Sequence, residues 1–113
     1  MEKIEIIANK ILQDYDLKNP GTIFKEKKII SNEDALLIQS SVARLRQKRG
    51  EEIVGYKIGC VSKDTQKKMG FTQPACGYLW KNELHNSGAI LNKKDYTNPC
   101  LLYTSDAADE WLR

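Results

Sequence analysis

The sequence predicts an α+β protein in which helices come first and strands follow. Up to about residue 50, apolar residues recur at offsets of three and four, which places them on one side of a helix. From residue 53 the pattern changes to β-branched and aromatic residues in a short run, which favours a strand. The 113 residues, 41% hydrophobic and 29% charged, have the length and composition of one globular domain. We therefore expect an N-terminal helical segment at residues 1–50, followed by a segment with strands at residues 51–99.

The first predicted helix has an apolar stripe and a clear end. The stripe consists of Ile4, Ile7, Ala8, Ile11, Leu12 and Tyr15. Asn19-Pro20-Gly21 is a turn signal that ends the helix. The next segment carries Lys25, Lys27 and Lys28, which fit either a basic patch for an anionic partner or a solvated connector.

The second predicted helix begins after Ser31, a residue type that caps helices. Its apolar positions are spaced by three and four residues, and Gly50 is placed to end it in a left-handed conformation. Four cations precede that glycine, Arg44, Arg46, Lys48 and Arg49. They can compensate the carbonyl end of the helix dipole or contact nucleic acid. The net charge of +3 is dispersed along the chain, so we expect no nucleic-acid partner.

Residues 53–59 form the first predicted strand, with Lys57 flanked by Gly55 and Gly59. Alternation places these three residues on one face and Tyr56 and Ile58 on the other. Glycines in a strand indicate that a ligand or another backbone approaches closely. Lys57 is therefore either a residue that binds a carboxylate or exchanges protons, or an ordinary exposed lysine.

Shorter elements follow the first strand. Ser62 is placed to cap a helix over residues 63–69 that ends at Gly70. Gln73-Pro74 predicts a turn or an extended segment. The sequence predicts strands at residues 78–80 and 89–91.

Several classes of site and location are disfavoured by the sequence. The three cysteines have no CxxC spacing and are expected to be unpaired thiols, and His85 is the one histidine. No apolar run approaches the roughly 20 residues that a membrane span needs, and the N-terminus has no signal-peptide pattern. We expect a cytoplasmic protein with no membrane partner.

Several separate motifs, in order, resemble the 2-keto-4-pentenoate hydratase group of the fumarylacetoacetate hydrolase superfamily. They are Gly55-Tyr56-Lys57-Ile58-Gly59-Cys60, Ser62-Lys63 with Gln66, Met69-Gly70-Phe71, Gln73-Pro74, Gly77-Tyr78-Leu79-Trp80, Ser87-Gly88-Ala89 and Tyr96-Thr97-Asn98-Pro99. The resemblance runs from about residue 30 to residue 99. It implies that the strands are the first ones of a mixed β-roll.

The resemblance also implies an activity and a site. It implies a lyase that adds water to a small unsaturated 2-oxo acid in the degradation of aromatic compounds, with Mg or Mn as a divalent cofactor and a homo-oligomeric parent enzyme. Lys57 matches the family's active-site lysine, and Gly77, Tyr78 and Leu79 are the implied substrate-binding residues. A 2-oxo acid decarboxylase of the same superfamily and a small basic nucleic-acid-binding module remain alternatives.

The resemblance ends at Pro99. The family's Glu-x-Glu metal ligands are expected just after Asn98-Pro99, whereas residues 100–110 resemble a translated sequencing adapter. We therefore expect residues 100–113 to be a non-native tail and assign none of its acidic residues as metal ligands. The chain is then interpreted as an N-terminal fragment that is inactive by itself.

Overall fold

The computed structural model describes residues 2–19, 21–23 and 30–100, and it confirms the α+β class. The elements in chain order are α1 (Glu2–Asp16), α2 (Asn32–Lys48), β1 (Ile53–Gly59), α3 (Lys63–Met69) and β2 (Ala75–Trp80). Single 3-10 turns follow at Lys81–Glu83 and Lys93–Asp95. Lys25, Lys27 and Lys28 of the predicted basic segment lie outside the described residues, as does the predicted tail of residues 100–113 except for Cys100.

Helices α1 and α2 pack against each other and form the core. The buried apolar side chains between them are Ile4, Ile7, Ala8, Ile23 and Ile38, with Ile11, Ile30, Val42 and Leu45 packed around them. The predicted cap is confirmed, because the Ser31 hydroxyl accepts a hydrogen bond of 3.1 Å from the backbone N–H of Asp34. Gly50 has the expected left-handed conformation, with φ of 96°. These local signals set the bounds of α2.

Strands β1 and β2 form a two-stranded antiparallel sheet, and α3 lies in the connection between them. The bounds of β1 and α3 agree with the sequence prediction, and Gly70 ends α3 with φ of 75°. Strand β2 begins at Ala75, three residues before the predicted start, because Ala75 pairs with Gly59 of β1. Pairing with a neighbour, which the local sequence does not reveal, extends this strand.

The strand predicted at residues 89–91 is wrong. Within the described part of the chain these residues are not in a strand, and Ile90 is 98% exposed. A short apolar run forms a strand only where a neighbouring strand pairs with it and one of its faces is buried. Among the described residues, Ala89, Ile90 and Leu91 have no such neighbouring strand and no buried face.

Arg46 joins the helices to the sheet. Its side chain comes from α2 and is only 6% exposed. The guanidinium carbon lies 4.9 Å from the ring centroid of Tyr15 on α1 and 4.2 Å from that of Trp80 on β2. Its nitrogen Nη2 binds the carboxylate of Glu51 at 2.6 Å and that of Glu83 at 2.9 Å. These contacts link residues 1–50 to β2 and to the segments that flank the strands.

The charges around Arg46 shift one another's pKa values. Hydrogen bonds from Arg46 and Arg49 lower the pKa of Glu51 from 4.5 to about 2, against the opposing effect of burial. For Arg46, burial acts to lower the pKa, but the hydrogen bonds to Glu51 and Glu83 outweigh it and the pKa is raised. Burial, together with a hydrogen bond to Glu83, raises the pKa of Tyr15. The arginines and Glu51 are therefore charged at neutral pH.

No helix in the described part of the chain has the length and apolar character needed to cross a membrane.

Candidate functional site

Lys57 lies on a face of the sheet that carries small side chains on nearly every side. We call this face the Lys57 row, and it consists of Gly55, Lys57 and Gly59 on β1 and Ala75, Gly77 and Leu79 on β2. Lys57 pairs directly with Gly77, and Gly55 pairs with Leu79. A Cβ atom built at Gly59 or Gly77 would meet no atom within 4 Å. The lysine therefore has open space beside it at Gly59 and across from it at Gly77, whereas Leu79 lies 3.5 Å from a Cβ built at Gly55.

The ammonium of Lys57 is exposed and makes a local hydrogen bond. Its Nζ atom donates to the backbone carbonyl of the next residue, Ile58, at 2.7 Å. A lysine ammonium has three donors, so this bond leaves others for a ligand. The side chain is thus compatible with binding an anionic group that approaches the Lys57 row.

The predicted site residues do not all lie on one face. Lys57, Gly77 and Leu79 share the Lys57 row, whereas the side chain of Tyr78 is on the opposite face. There the Tyr78 ring contacts Tyr56 at a centroid distance of 5.7 Å and Trp80 at 6.3 Å. A ligand over the Lys57 row could therefore reach Tyr78 only through its main-chain atoms.

Polar side chains from two helices hold the strands of the site. Gln66 on α3 donates to the carbonyl of Cys60 at 3.0 Å, directly after β1. Cys60 has φ of 53°, a left-handed conformation that non-glycine residues seldom adopt. Gln39 on α2 donates to the carbonyl of Cys76 at 2.8 Å, beside Gly77. The site is therefore anchored at both strands.

The sequence interpretation missed the roles of Asn32, Gln39 and Arg46. All three are on α2 and reach the strands or their connection, Asn32 through a 2.9 Å hydrogen bond to the carbonyl of Gly70. Their spacing of seven residues corresponds to two helical turns, so they share one side of the helix. That spacing could have indicated a second contact face of α2. It was overlooked because the apolar stripe at Ile38, Val42 and Leu45, which faces α1, is the stronger pattern.

The described residues do not supply a metal centre. Among residues 2–19, 21–23 and 30–100, no group of three or more His, Cys, Asp or Glu side chains could hold a metal ion. The carboxylates of Glu51 and Glu83 lie close together but are bound by Arg46. Because Arg46 already occupies these carboxylates, a divalent ion does not fit this donor set.

A cavity between α1 and α2 is separate from the Lys57 row. Its volume is about 310 Å³, and it is lined by Glu5, Asn9, Ser41, Arg44, Leu45 and Lys48. None of these residues is on a strand. The predicted site residues therefore do not contribute to this cavity.

Comparison with solved structures shows a similar fold in 4-oxalocrotonate decarboxylase. The chain resembles 4-oxalocrotonate decarboxylase from Pseudomonas putida G7 complexed with calcium and acetate, with a TM-score of 0.61 and 26% identity over 72% of this chain and 32% of the other. The same decarboxylase complexed with magnesium and adipate gives a TM-score of 0.60 and 26% identity, covering 72% and 31% of the two chains. No family model matches the chain.

These findings confirm the resemblance to the 2-keto-4-pentenoate hydratase group of the fumarylacetoacetate hydrolase superfamily. Two curated relatives are hydratases. The chain is 42% identical over 62 residues to 2-hydroxypent-2,4-dienoate hydratase of Pseudomonas putida, a match that covers 55% of this chain and 28% of the relative. It is 37% identical over 62 residues to 2-hydroxyhexa-2,4-dienoate hydratase of Comamonas testosteroni, covering 55% and 24%. The matched stretch therefore spans about a quarter of the length of these relatives.

Proposed function

We propose that the Lys57 row contributes to the active site of a metal-dependent hydratase, a carbon-oxygen lyase that adds water to a small unsaturated 2-oxo acid. A substrate of the kind 2-keto-4-pentenoate, in the degradation of aromatic compounds, fits this proposal. The observation that carries it is the exposed Lys57 in a row of small residues, within a chain that resembles two hydratases. For the whole enzyme, the proposal includes a cytoplasmic location and a homo-oligomeric state.

In this proposal Lys57 binds the carboxylate of the substrate. A lysine ammonium is a compact charge that pairs with carboxylates, and a flexible stem lets it leave its bond to the Ile58 carbonyl. Gly59 and Gly77 leave room beside it for a flat acid, and Leu79 supplies an apolar contact at one end of the row. Each of these residues thus has a physical role in holding a small oxo acid.

The proposed cofactor is Mg or Mn, with ligands from outside the described residues. The decarboxylase structures contain calcium and magnesium, which supports a divalent cation in related enzymes. Because the described residues offer no ion site, we expect this chain alone to be inactive. Magnesium-dependent turnover of 2-hydroxypenta-2,4-dienoate by the purified chain would contradict that expectation.

The proposal also covers the organisation of the chain. Residues 51–99 are proposed as the start of a mixed β-roll, and residues 100–113 as a non-native tail.

A chimera tests the function directly. Residues 30–99 of this chain, over which the family resemblance runs, replace the corresponding segment of the Pseudomonas putida hydratase. We expect the chimera to hydrate 2-hydroxypenta-2,4-dienoate, measured as loss of dienol absorbance and by product analysis. Lys57→Met in the chimera should reduce kcat/KM by at least about a hundredfold, because it removes a charged contact to the substrate.

The control for the chimera is Lys68→Met, which removes an exposed lysine from α3 outside the Lys57 row. It should leave kcat/KM within about twofold of the unmutated chimera, as expected for a surface substitution. Circular dichroism and gel filtration establish that each chimera is folded. A folded chimera whose kcat/KM is unchanged by the Lys57→Met substitution would exclude the proposed role of Lys57.

The second candidate is a 2-oxo acid decarboxylase. It is favoured by the structural similarity to 4-oxalocrotonate decarboxylase, which covers more of this chain than the hydratase matches do. The same residues can be placed in that decarboxylase and assayed for release of carbon dioxide from 4-oxalocrotonate. Activity in the decarboxylase chimera together with inactivity in the folded hydratase chimera would favour this candidate.

The nucleic-acid alternative receives less support from the structure. Arg46 and Arg49, at the basic end of α2, are bound to carboxylates of Glu51, Glu83 and Asp16. Their charge is therefore compensated within the chain. The three lysines at positions 25, 27 and 28 lie outside the described residues, and a gel shift at low salt tests their contribution.

A further inference from the structure

Gln39 is a side chain of α2 that reaches strand β2 beside Gly77. Its Nε2 atom donates a 2.8 Å hydrogen bond to the carbonyl oxygen of Cys76, 37 residues further along the chain. The next residue is Gly77, which pairs directly with Lys57. Gln39 therefore contacts the peptide group that links Cys76 to the cross-strand partner of the lysine.

A hydrogen bond to this carbonyl fixes more than one atom. The Cys76 carbonyl and the Gly77 N–H belong to the same planar peptide group, and no peptide bond in the described residues is cis. Holding the oxygen therefore also sets the direction of the Gly77 N–H. Gly77 has no side chain that could anchor it by packing, and a Cβ at that position would meet no atom within 4 Å. Its orientation consequently depends on its backbone contacts.

The helical side of this contact is itself firmly placed. Ile38, the neighbour of Gln39, is buried in the core between α1 and α2, and Asn32 and Arg46 on the same side of α2 hold α3 and Trp80. Gln39 thus extends from a packed helix to the part of β2 beside Gly77, the residue of this strand that has no side chain to pack.

We propose that Gln39 is a positioning residue, which orients the Cys76–Gly77 peptide group and so sets the geometry of β2 opposite Lys57. The effect of this role on substrate binding rests on the proposed function. The hydrogen bond and its effect on Gly77 can be measured without any substrate.

The first test is amide hydrogen exchange of the ¹⁵N-labelled chain by NMR. Gln39→Met keeps the length and approximate volume of the side chain but removes the donor. We expect exchange of the Gly77 amide to accelerate about fivefold, the change expected for one hydrogen bond of ordinary net strength. Exchange of the Ala8 amide, in the buried part of α1, should remain unchanged and reports global stability.

Two further variants make this test specific. Gln39→Glu keeps the shape but presents a carboxylate that cannot donate to the Cys76 carbonyl, so it should accelerate Gly77 exchange at least as much. Gln47→Met is the matched control on the exposed side of the same helix and should leave Gly77 exchange unchanged. Equal Gly77 exchange in the wild-type chain, Gln39→Met and Gln39→Glu would overturn the proposal. Equal acceleration at Gly77 and Ala8 would also overturn it, because Gln39 would then contribute only to overall stability.

The second test uses adipate as a probe of the Lys57 row. In the wild-type chain, titration with adipate should shift the Gly77 amide resonance. Gln39→Met should raise the dissociation constant for adipate about threefold to tenfold, which corresponds to the loss of one hydrogen bond of ordinary net strength. An unchanged dissociation constant in Gln39→Met would overturn the role of Gln39 in the site. Absence of any adipate response in the wild-type chain would count against the proposed function, whereas the exchange measurement would still decide the orienting role.

Discussion

The guanidinium carbon of Arg46 lies 4.2 Å from the centroid of the Trp80 ring, and both side chains are buried. Arg46 comes from α2 and Trp80 from the end of β2, so this contact connects the helical core to the strand that carries Gly77 and Leu79. Two carboxylates and a second aromatic ring complete the surroundings of the arginine. The placement of the Lys57 row relative to the helices therefore depends on a charged side chain between two rings.

Replacing Arg46 should strongly destabilise the fold. We expect Arg46→Met to lower the free energy of unfolding by about 3 kcal/mol, because it leaves the carboxylate of Glu51 partly buried without its main partner. Urea unfolding followed by Trp fluorescence measures this. Arg44→Met, which removes an exposed arginine from the same helix, should cost less than about 1 kcal/mol. Equal losses in the two variants would contradict the importance of the Arg46 contacts.

Acid should destabilise the fold because Glu51 becomes protonated. Its pKa is lowered from 4.5 to about 2 in the folded protein, so its contribution to stability is complete above pH 4.5 and is lost as the pH falls towards 2. A change of this size corresponds to roughly 3 kcal/mol. Urea unfolding at several pH values should show this loss in the wild-type chain and a flatter profile in Glu51→Gln.

The matched control for the acid experiment is Glu52→Gln. The Glu52 carboxylate is exposed in its ion pair with Lys81, at 3.6 Å. Such a pair contributes little, so Glu52→Gln should retain the wild-type pH profile. A flattened profile in Glu52→Gln, with a normal one in Glu51→Gln, would show that Glu52 and not Glu51 causes the acid sensitivity.

Gly70 should not tolerate a side chain. It ends α3 with φ of 75°, a conformation in which residues other than glycine are strained. We expect Gly70→Ala to lower the free energy of unfolding by about 1 kcal/mol. Thermal unfolding followed by circular dichroism is the measurement, and unchanged stability would indicate that the end of α3 is not held in this conformation.

Gly77 should show the opposite behaviour, with a stable fold and an impaired site. A Cβ built there would meet no atom within 4 Å, so Gly77→Ala should change the free energy of unfolding by less than about 0.5 kcal/mol. The added methyl group occupies space directly across from Lys57, and we expect it to weaken adipate binding severalfold in the NMR titration. Normal binding in Gly77→Ala would show that a ligand does not use this space.

Features set by short stretches of chain could be predicted from the sequence. Caps such as Ser31 and Ser62 and left-handed ends such as Gly50 and Gly70 act on their own helix, so local residue types predict them well. The face that combines Gly55, Lys57 and Gly59 follows from alternation along a single strand. By itself, the sequence therefore determined the class of fold, the helix bounds and the lysine at the centre of the candidate site.

Features that depend on distant partners were decided only by the tertiary structure. Ala75 is in a strand because it pairs with Gly59, whereas residues 89–91 are not in a strand because no described neighbour pairs with them. Gln39 and Arg46 are ordinary helix residues in sequence, and their roles arise from a carbonyl and an indole ring more than 30 residues away. Hydrogen bonds and ring contacts of this range depend on how the elements pack, because the free energy of a polar side chain is set by the partner it meets. Strand pairing is what brought Lys57 onto the same face as Gly77 and Leu79, whereas alternation along β2 already places Tyr78 on the other face.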